Sequence, residues 1–383
     1  MKFLLVNHEY PPVGGGAATA SYETARSLSA LGHDVSVLTG HYGKLPRSTT
    51  EDSVVVRRIR CIRKRLDRSN IFEMLTFMIA AFFLLPFLLI KCRPHALIVF
   101  FTLPSGPIGL AANMFAGLPY LVSLRGGDVP GLVPELDGIH KFIAPLRRHI
   151  LEQAAAVVAN SEGLRRLSEQ ADKIPVRVIP NGVDTNFFRP SSELSSNRLR
   201  ILFVGRFQEQ KNLTFLLKQI ARLSAGTFEL HLVGDGPQRA HLRSLAQKLD
   251  IATKVVWHGW LTRDQLLRVY QSVDCLVNPS LYEGMPNVVL EAMACGLPVI
   301  ASNVPGNNEL VLSGETGLLF DLQQPDSFLG AIDRLLHERS QRLRMGSMAR
   351  EHVRANYSWR NVAQGLETLV RETIPGVDSE QRS

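Results

Sequence analysis

The chain has 383 residues, 45% hydrophobic and 20% charged, which is long enough for two or three domains and excludes disorder for most of the sequence. Its net charge of +8 is modest and compatible with nucleic acid, anionic lipid or a polyanionic substrate. The four cysteines, at positions 61, 92, 275 and 295, form no close pair, which argues against a cysteine metal site or disulfide framework and favours a reducing, cytoplasmic compartment.

The first predicted unit is a strand at residues 3–6, a glycine-containing turn, a helix at 17–31 and a strand at 35–38. The opening apolar run is too short for a signal peptide, because polar residues 7–9 interrupt it. The turn, HEYPPVGGG, fits neither G-x-G-x-x-G nor a Gly-Lys-Ser/Thr loop, so neither a nicotinamide nor a nucleoside-triphosphate site is supported. On the residues alone, the glycines at 14–16 are either a flexible turn or a ligand-facing loop.

Residues 74–90, MLTFMIAAFFLLPFLLI, form an uncharged run that follows a basic segment. A transmembrane helix needs about 20 apolar residues, and a span here would divide one sheet between two sides of a membrane, so we reject a span. Two alternatives remain: a helix buried against the first sheet, or an interfacial helix with a basic collar that binds anionic lipid. We favour peripheral membrane binding, although the charges could equally form a solvated face. The seven basic residues are Arg57, Arg58, Arg60, Arg63, Lys64, Arg65 and Arg68.

Further strands complete the first domain, which ends near residue 184. One of them, at 119–124, runs into the sequence RGGDVPG, so Arg125 and Asp128 follow its carboxyl end. Residues 185–198 are polar and serine-rich without sustained periodicity, and they are predicted to be an interdomain linker.

The second domain opens with a predicted strand at residues 199–205, followed by Arg206 and Lys211. In open α/β sheets, ligands bind outside the carboxyl ends of the strands. Two cations at this end of a strand are well placed for a diphosphate.

Residues 273–303 read as strand, loop, short helix and strand. Glu283 lies in the loop and Glu291 lies eight residues further on, inside the helix. Gly284 would allow a phosphate to approach the helix amides closely, and carboxylates beside such a site can accept hydrogen bonds from sugar hydroxyls. The alternative interpretation is that Glu283 is a solvated loop residue and Glu291 an exposed helix residue.

Three runs in the second half resemble the signature sequences of the retaining glycosyltransferases of family 4: VGRFQEQKN, LVGDGP and EGMPNVVLEAMACGLPVIAS. The Glu-x7-Glu spacing matches the family's motif without a gap. The resemblance implies an α/β protein with the GT-B fold, two Rossmann-like domains facing across a cleft. We expect an acceptor domain at 1–184, the linker at 185–198, a nucleotide-sugar domain at 199–357, and a helix at 358–373 that crosses back to the first domain.

The resemblance also implies roles for individual residues. The two cations and the helix amides would stabilise the leaving diphosphate, Glu283 would orient the donor sugar, and Glu291 would hold the ribose. A residue at the position of Trp260 packs near the base in the family, although a bulky residue at a strand end is more often core. The predicted catalytic residues are Arg206, Lys211 and Glu283. The predicted donor-binding residues are Gly15, Gly16, Trp260, Met285, Pro286, Asn287, Val288 and Glu291.

Arg125 and Asp128 are the predicted acceptor- or sugar-binding residues. Arg125 occupies a position that is commonly histidine in the family. Its guanidinium cannot act as a base, but it can donate to a sugar hydroxyl or phosphate. The alternatives are that Arg125 only pairs with Asp128, or that the chain is a catalytically inactive homologue.

The implied reaction is transfer of a sugar from a nucleotide-diphosphate sugar to an acceptor hydroxyl, with retention of anomeric configuration. We expect a lipid-linked or surface-polysaccharide acceptor, an anionic membrane surface as partner rather than nucleic acid, and a location on the inner face of the cell membrane. No cofactor and no metal are expected, since the chain contains no Asp-x-Asp. The rival functions are a GT-B-shaped sugar-nucleotide epimerase and a non-enzymatic polyanion- or membrane-binding protein.

Overall fold

The computed structural model describes residues 1–66, 68–191, 198–224 and 227–374. These residues divide into two units, each built on one sheet: Met1–Gly182 with the terminal helix Trp359–Thr373, and Val183–Ser358. The second unit begins at Val183, so residues 185–191 of the predicted linker belong to it rather than to a separate connection. Residues 192–197 of that predicted linker lie outside the described part of the chain.

The sheet of the first unit has eight strands, and every neighbouring pair is parallel except one antiparallel hairpin. Its central strands are continuous apolar runs buried on both faces, as parallel sheets require. The strands are β1 (Lys2–Val6), β2 (Asp34–Gly40), β3 (Ser48–Glu51), β4 (Val54–Ile59), β5 (Ala96–Phe100), β6 (Tyr120–Leu124), β7 (Ala156–Ala159) and β8 (Arg177–Val178). Their order in the sheet is β3-β4-β2-β1-β5-β6-β7-β8.

Helices cover this sheet. They are α1 (Gly16–Ala30), α2 (Ile71–Cys92), α3 (Gly106–Ala116), α4 (Asp137–Glu152) and α5 (Glu162–Asp172). The terminal helix packs against α1 and buries Trp359, Val362 and Leu366 in the same core as β1 and β5.

The β3–β4 hairpin was not predicted, and it changes the interpretation of the basic segment. Arg58 lies on β4 and is buried, where it donates to Thr49 Oγ1 at 2.8 Å and pairs with Glu51. The side chain of Arg63 is also withdrawn from solvent, and its guanidinium pairs with the Glu9 carboxylate at 3.2 Å. Two of the seven predicted collar residues therefore stabilise the first unit itself, and the collar is smaller than the sequence indicates.

Helix α2 contains the uncharged run and begins with a capping box. Asn70 Oδ1 accepts from the Glu73 amide at 2.9 Å, and the Glu73 carboxylate accepts from the Asn70 amide at 3.2 Å. By length and composition the helix could cross a membrane. Only 22% of its apolar 18-residue window is buried inside the protein, unlike the core helix of a soluble protein. It packs on α3 with one face and leaves large apolar side chains exposed on the other. The buried face of α2 also contacts β2 and β4, so the alternative of a helix buried against the sheet holds for one face of α2 and not for the other.

The second unit carries a six-stranded, fully parallel sheet. Its strands are β9 (Leu199–Val204), β10 (Phe228–Val233), β11 (Val255–Gly259), β12 (Cys275–Asn278), β13 (Val299–Ser302) and β14 (Gly317–Phe320), in the order β11-β10-β9-β12-β13-β14. Its helices are α6 (Leu213–Ile220), α7 (Arg239–Lys248), α8 (Arg263–Tyr270), α9 (Asn287–Ala294), α10 (Asn307–Leu310), α11 (Pro325–His337) and α12 (Arg339–Asn356). The chain order reverses between β9 and β12, and a ligand site is expected at the carboxyl ends of those two strands.

Candidate active site

The loops after β9 and β10 pack directly against each other at the carboxyl edge of the second sheet. The Gly205 amide donates to the Val233 carbonyl at 3.0 Å, and the Phe207 amide donates to the Asp235 carbonyl at 2.9 Å. A Cβ on Gly234 would lie 2.0 Å from the Gly205 carbonyl oxygen, and Gly234 has φ +121°. The approach of the two loops therefore requires glycine at this position.

Lys211 and Glu283 form an ion pair, with Nζ 2.5 Å from Oε1. Lys211 belongs to the short helical turn Glu209–Lys211 after β9, and Glu283 to the loop after β12. Backbone and side-chain bonds also join these two loops: the Leu281 amide donates to the Gln210 carbonyl at 2.8 Å, and the Gln210 side chain donates to the Tyr282 carbonyl at 2.9 Å. One predicted cation and one predicted acceptor are thus held together as a single element.

Glu283 is only 6% exposed, so the alternative that it is a solvated loop residue is wrong. Ser280 Oγ donates to the same Oε1 atom at 2.7 Å, and Asn278 Nδ2 lies 3.5 Å away. Ser280 is itself fixed, because its carbonyl accepts from Ser302 Oγ at 2.6 Å. The carboxylate is therefore oriented by polar groups at the carboxyl ends of β12 and β13.

The amino end of α9 lies beside this carboxylate. The helix begins at Asn287, with Pro286 as its N-cap residue, and none of the described side chains caps it. Gly306 approaches the preceding loop so closely that a Cβ there would lie 2.5 Å from the Gly284 carbonyl oxygen. Met285 is buried, and Asn287 and Val288 are half-buried at the start of the helix. The positive end of a helix dipole therefore accompanies Lys211.

Glu291, in the second turn of α9, accepts a hydrogen bond from the hydroxyl of Tyr270 at 2.9 Å. Tyr270 is fully buried at the end of α8, and burial together with Glu291 raises the pKa of its hydroxyl well above the ordinary value. The hydroxyl therefore stays protonated and acts as a donor that orients the carboxylate. Sequence reasoning missed Tyr270, because it belongs to no short motif and lies 21 positions from its partner.

Arg206 and Trp260 occupy loops of the same edge. Arg206 directly follows Gly205 and is half-buried. Trp260 follows β11 and is 60% exposed, so the alternative that it is a core residue is wrong. An indole at this edge is available for contact with a planar ring.

The first unit holds the remaining predicted residues, and its glycine loop leads into α1. Gly15 is the N-cap residue and Gly16 the first residue of the helix, both exposed, and no side chain in the described chain caps this end. Gly14 has φ +103°, and a Cβ there would lie 2.7 Å from Glu9. The turn therefore requires glycine at position 14.

Asp128 holds the loop after β6. Its Oδ1 accepts from the amides of Arg125 and Gly126 at 2.9 and 3.1 Å, and its Oδ2 accepts from the Thr102 amide at 2.8 Å. The carboxylate thus organises backbone, which limits what it can offer to a sugar.

The Arg125 guanidinium does not bond to Asp128. It donates to Asn181 Oδ1 at 2.8 Å and stacks over the Phe100 ring, 4.7 Å from the centroid. Arg125 therefore pairs with Asp128 through its backbone amide only, and its guanidinium has other partners. Burial lowers the pKa of Arg125 to about 10, so it remains a cation at neutral pH.

The structure thus brings most predicted residues together within the second unit, at the ends of β9 and β12. This group contains Arg206, Lys211, Glu283, Met285, Pro286, Asn287, Val288 and Glu291. Gly15, Gly16, Arg125 and Asp128 belong to the first unit. Within the described ranges, no group of three or more His, Cys, Asp or Glu side chains could hold a metal ion.

Two family models match consecutive parts of the chain. The model described as Glycosyltransferase Family 4 matches residues 14–187, and the model described as Glycosyl transferases group 1 matches residues 184–352. Together they span residues 14–352, which include most of both units.

Individual proteins are similar over nearly the full length. The uncharacterized glycosyltransferase MJ1607 of Methanocaldococcus jannaschii is 29% identical over 95% of this chain and 96% of its own. Sucrose-phosphate synthase from Thermosynechococcus elongatus superposes with a TM-score of 0.85 at 26% identity, over 97% of this chain and 98% of that one. Anabaena Alr3699/HepE in complex with UDP-glucose superposes with a TM-score of 0.76 at 18% identity, over 97% and 100%. The last of these shows likeness of fold alone.

Proposed function

Because this chain belongs to glycosyltransferase family 4 and has the GT-B fold, we propose that it transfers a hexosyl group from a nucleotide-diphosphate sugar to an acceptor hydroxyl with retention of anomeric configuration. The observation that carries the proposal is the joined Lys211–Glu283 element beside the start of α9. It combines a cation and helix amides for a diphosphate with an oriented acceptor for sugar hydroxyls.

The difficult step is departure of the diphosphate, because negative charge grows on its oxygen as the glycosidic bond breaks. In our proposal Arg206, Lys211 and the amides at the start of α9 stabilise that charge. Removing one such donor commonly costs about 10²–10³ in rate. These groups are fixed before the reaction by the loop-to-loop bonds around Gly205 and Gln210, so they need not reorganise when the charge develops.

The two carboxylates then have different tasks. Glu291, oriented by Tyr270, accepts hydrogen bonds from the ribose hydroxyls, and Trp260 contacts the base. Glu283, together with Asn287, orients the donor sugar. The acceptor oxygen forms the new bond to the anomeric carbon on the face that the diphosphate leaves, and its proton passes to the leaving phosphate oxygen. An external base is not needed in this scheme, which makes Arg125 compatible with activity.

The donor that we propose to test first is UDP-glucose, since a structure of the same fold contains it. We also propose that transfer is independent of a divalent metal. The support is that cations and helix amides of the chain itself can neutralise the diphosphate.

For the acceptor, we propose a lipid-linked or surface-polysaccharide intermediate, reached by peripheral binding to the inner face of the cell membrane. The support is an exposed apolar surface on the first unit. It consists of Ile71, Phe72, Leu75, Ile79, Phe82, Phe83, Phe87 and Ile90 of α2, Met114 and Phe115 of α3, and Ile139, Phe142 and Leu146 of α4. Exposed cations border it, among them Lys64, Arg65, Arg68, Lys91, Arg93, Lys141 and Arg148. Such a combination favours anionic lipid.

A thermal-shift panel of UDP-, GDP- and ADP-sugars tests the donor site. A ligand at 100 times its dissociation constant stabilises a fold by about 2.7 kcal/mol. We expect a shift from one nucleotide class that EDTA leaves unchanged and that Glu291→Ala weakens. No shift from any class would contradict the donor site, and a shift abolished by EDTA would contradict metal independence.

A further inference from the structure

A cavity of about 860 Å³ lies within the first unit, between α2 and α4. Its walls come from residues 8–9 after β1, residues 68–70 with the first two turns of α2, the segment at 101–104 after β5, residues 127–128, and the segment at 136–147 that includes most of α4. Its size is that of a site for a ligand of several hundred daltons. None of the second unit's predicted donor-binding residues lines it.

The walls of this cavity are largely apolar, and they continue into the exposed apolar surface. Met74 and Met78 of α2 and Ile143 of α4 line the interior. Leu75 and Phe72 of α2 both line the cavity and belong to the exposed surface. An apolar chain could therefore enter the cavity from that surface.

The cavity also has buried polar groups whose hydrogen bonds are incomplete among the described residues. Arg147 uses one terminal nitrogen for Asp172, at 2.7 Å, but its Nε and other terminal nitrogen have no partner there. His8 Nδ1 is likewise without a described partner, and both residues are more than nine-tenths buried. Buried donors left unsatisfied are costly, so the two Arg147 nitrogens indicate a ligand that supplies oxygen, and His8 Nδ1 adds an unpartnered polar atom to the same wall.

From these observations we propose that the cavity binds an amphiphile: a long alkyl or prenyl chain against α2 and α4, with a phosphate or hydroxylated head group at His8 and Arg147. The proposal rests on the proposed function, since it identifies this amphiphile as the lipid part of the acceptor. Membrane binding alone would use the outer side chains, such as Phe83, and would leave the cavity and its polar groups without a role.

The continuity between the cavity and the exposed surface favours this occupant over a wholly polar one. Burial of a methylene group tightens binding by about fourfold. A chain that lies in the cavity should show this increment until the cavity is filled. A head group bound without its chain should show no dependence on chain length.

The test uses octyl, decyl and dodecyl phosphate as probes, with inorganic phosphate for comparison, titrated calorimetrically into the full chain below their micellar concentrations. We expect affinity to rise by about threefold to fourfold per methylene, and inorganic phosphate to bind far more weakly. Met78→Trp, which fills the cavity, should weaken dodecyl phosphate at least tenfold. Phe83→Ser, on the outer face of the same helix, should leave it unchanged.

A dodecyl phosphate with a terminal diazirine keeps the test decisive if Met78→Trp does not fold. With wild type, we expect photolabelling within residues 71–78 and 136–147, and Ile143→Trp should reduce it. Equal binding of inorganic phosphate, or labelling confined to residues around Phe83 and Phe115, would overturn the proposal. UDP-glucose binding is measured on the same proteins. If wild type binds dodecyl phosphate but no UDP-glucose, the proposed function fails while the lipid site stands.

Discussion

Lys211 Nζ lies 2.5 Å from Glu283 Oε1, and this pair joins the loops that follow two neighbouring strands, β9 and β12. Both side chains are largely withdrawn from solvent, so each neutralises the charge of the other, which would be costly to bury unpaired. The pair therefore has a structural role and a functional one, and the two can be separated by experiment.

Lys211→Met should lower kcat by about 10²–10³ and the free energy of unfolding by about 3 kcal/mol, because Glu283 is left buried without its counter-charge. Adding Glu283→Gln should restore most of the stability and none of the activity. Denaturant unfolding and initial rates of transfer measure the two effects. As a control, Arg222→Met breaks the exposed pair with Asp326 and should cost under about 1 kcal/mol. A double variant no more stable than Lys211→Met would contradict this account of the pair.

Tyr270→Phe should raise the KM for the nucleotide sugar about tenfold and change kcat by less than about twofold. The variant removes one hydrogen bond to a charged carboxylate, and Glu291 binds a part of the donor that does not react. The matched control is Tyr357→Phe, which removes a hydroxyl that donates to the Glu309 carbonyl at 3.3 Å. If both variants had the same KM as wild type, Tyr270 would not orient Glu291 for binding.

Gly234→Ala should destabilise the second unit more than Gly314→Ala does. Both glycines have positive φ, but only a Cβ on Gly234 meets another backbone atom, the Gly205 carbonyl oxygen, whereas the space around Gly314 is open. We expect a loss of about 1 kcal/mol for Gly314→Ala and clearly more for Gly234→Ala. Urea unfolding of the two variants compares them directly, and equal losses would show that the loops after β9 and β10 can separate without cost.

The pH dependence of stability should contain a contribution from His8. Burial lowers the pKa of His8 to about 4 from an ordinary value of 6.5, so the unfolded chain binds a proton more readily than the folded one. The contribution of the neutral His8 to the free energy of unfolding is therefore fully present above pH 6.5 and is lost as pH falls towards 4. Between pH 7 and 4.5 the loss should be on the order of 2 kcal/mol. His8→Gln should remove this part of the pH dependence in urea unfolding, and an unchanged slope would contradict a buried neutral imidazole.

The exposed apolar surface should mediate binding to anionic vesicles. Flotation of wild type with vesicles containing phosphatidylglycerol should succeed at low salt and weaken as salt screens the bordering cations. The double variant Phe83→Ser/Phe87→Ser should abolish flotation, because both side chains are exposed on this surface. Neither residue lines the cavity, so the variant leaves the cavity walls unchanged. The control is Leu343→Ser, an exposed apolar residue of the second unit. Wild type that stays at the bottom of the gradient would show that α2 does not bind membrane.

Local patterns of the sequence were sufficient for the parallel strands of both sheets and for the positions of three predicted site residues in the fold. The buried strands are short apolar runs, and Lys211, Glu283 and Glu291 belong to contiguous motifs that place them after β9 and β12. The family resemblance adds roles that these patterns do not contain.

What the sequence could not show depends on contacts between distant positions. Arg58 looked like part of a charged surface, yet its buried pair with Glu51 forms only because β3 and β4 make a hairpin. Tyr270 has no motif of its own, and its role follows from the meeting of α8 and α9. The cavity between α2 and α4 likewise exists only in the folded first unit.

Sugar transfer to lipid is the decisive assay for this protein. Purified protein is incubated with a lipid extract of its source cells and with radiolabelled UDP-glucose, GDP-mannose or ADP-glucose, with EDTA present. We predict label in the organic phase from one of these donors, and none with Glu283→Gln. Failure of every donor to label lipid, with conversion of a sugar nucleotide to its epimer, would contradict the account and establish an epimerase instead.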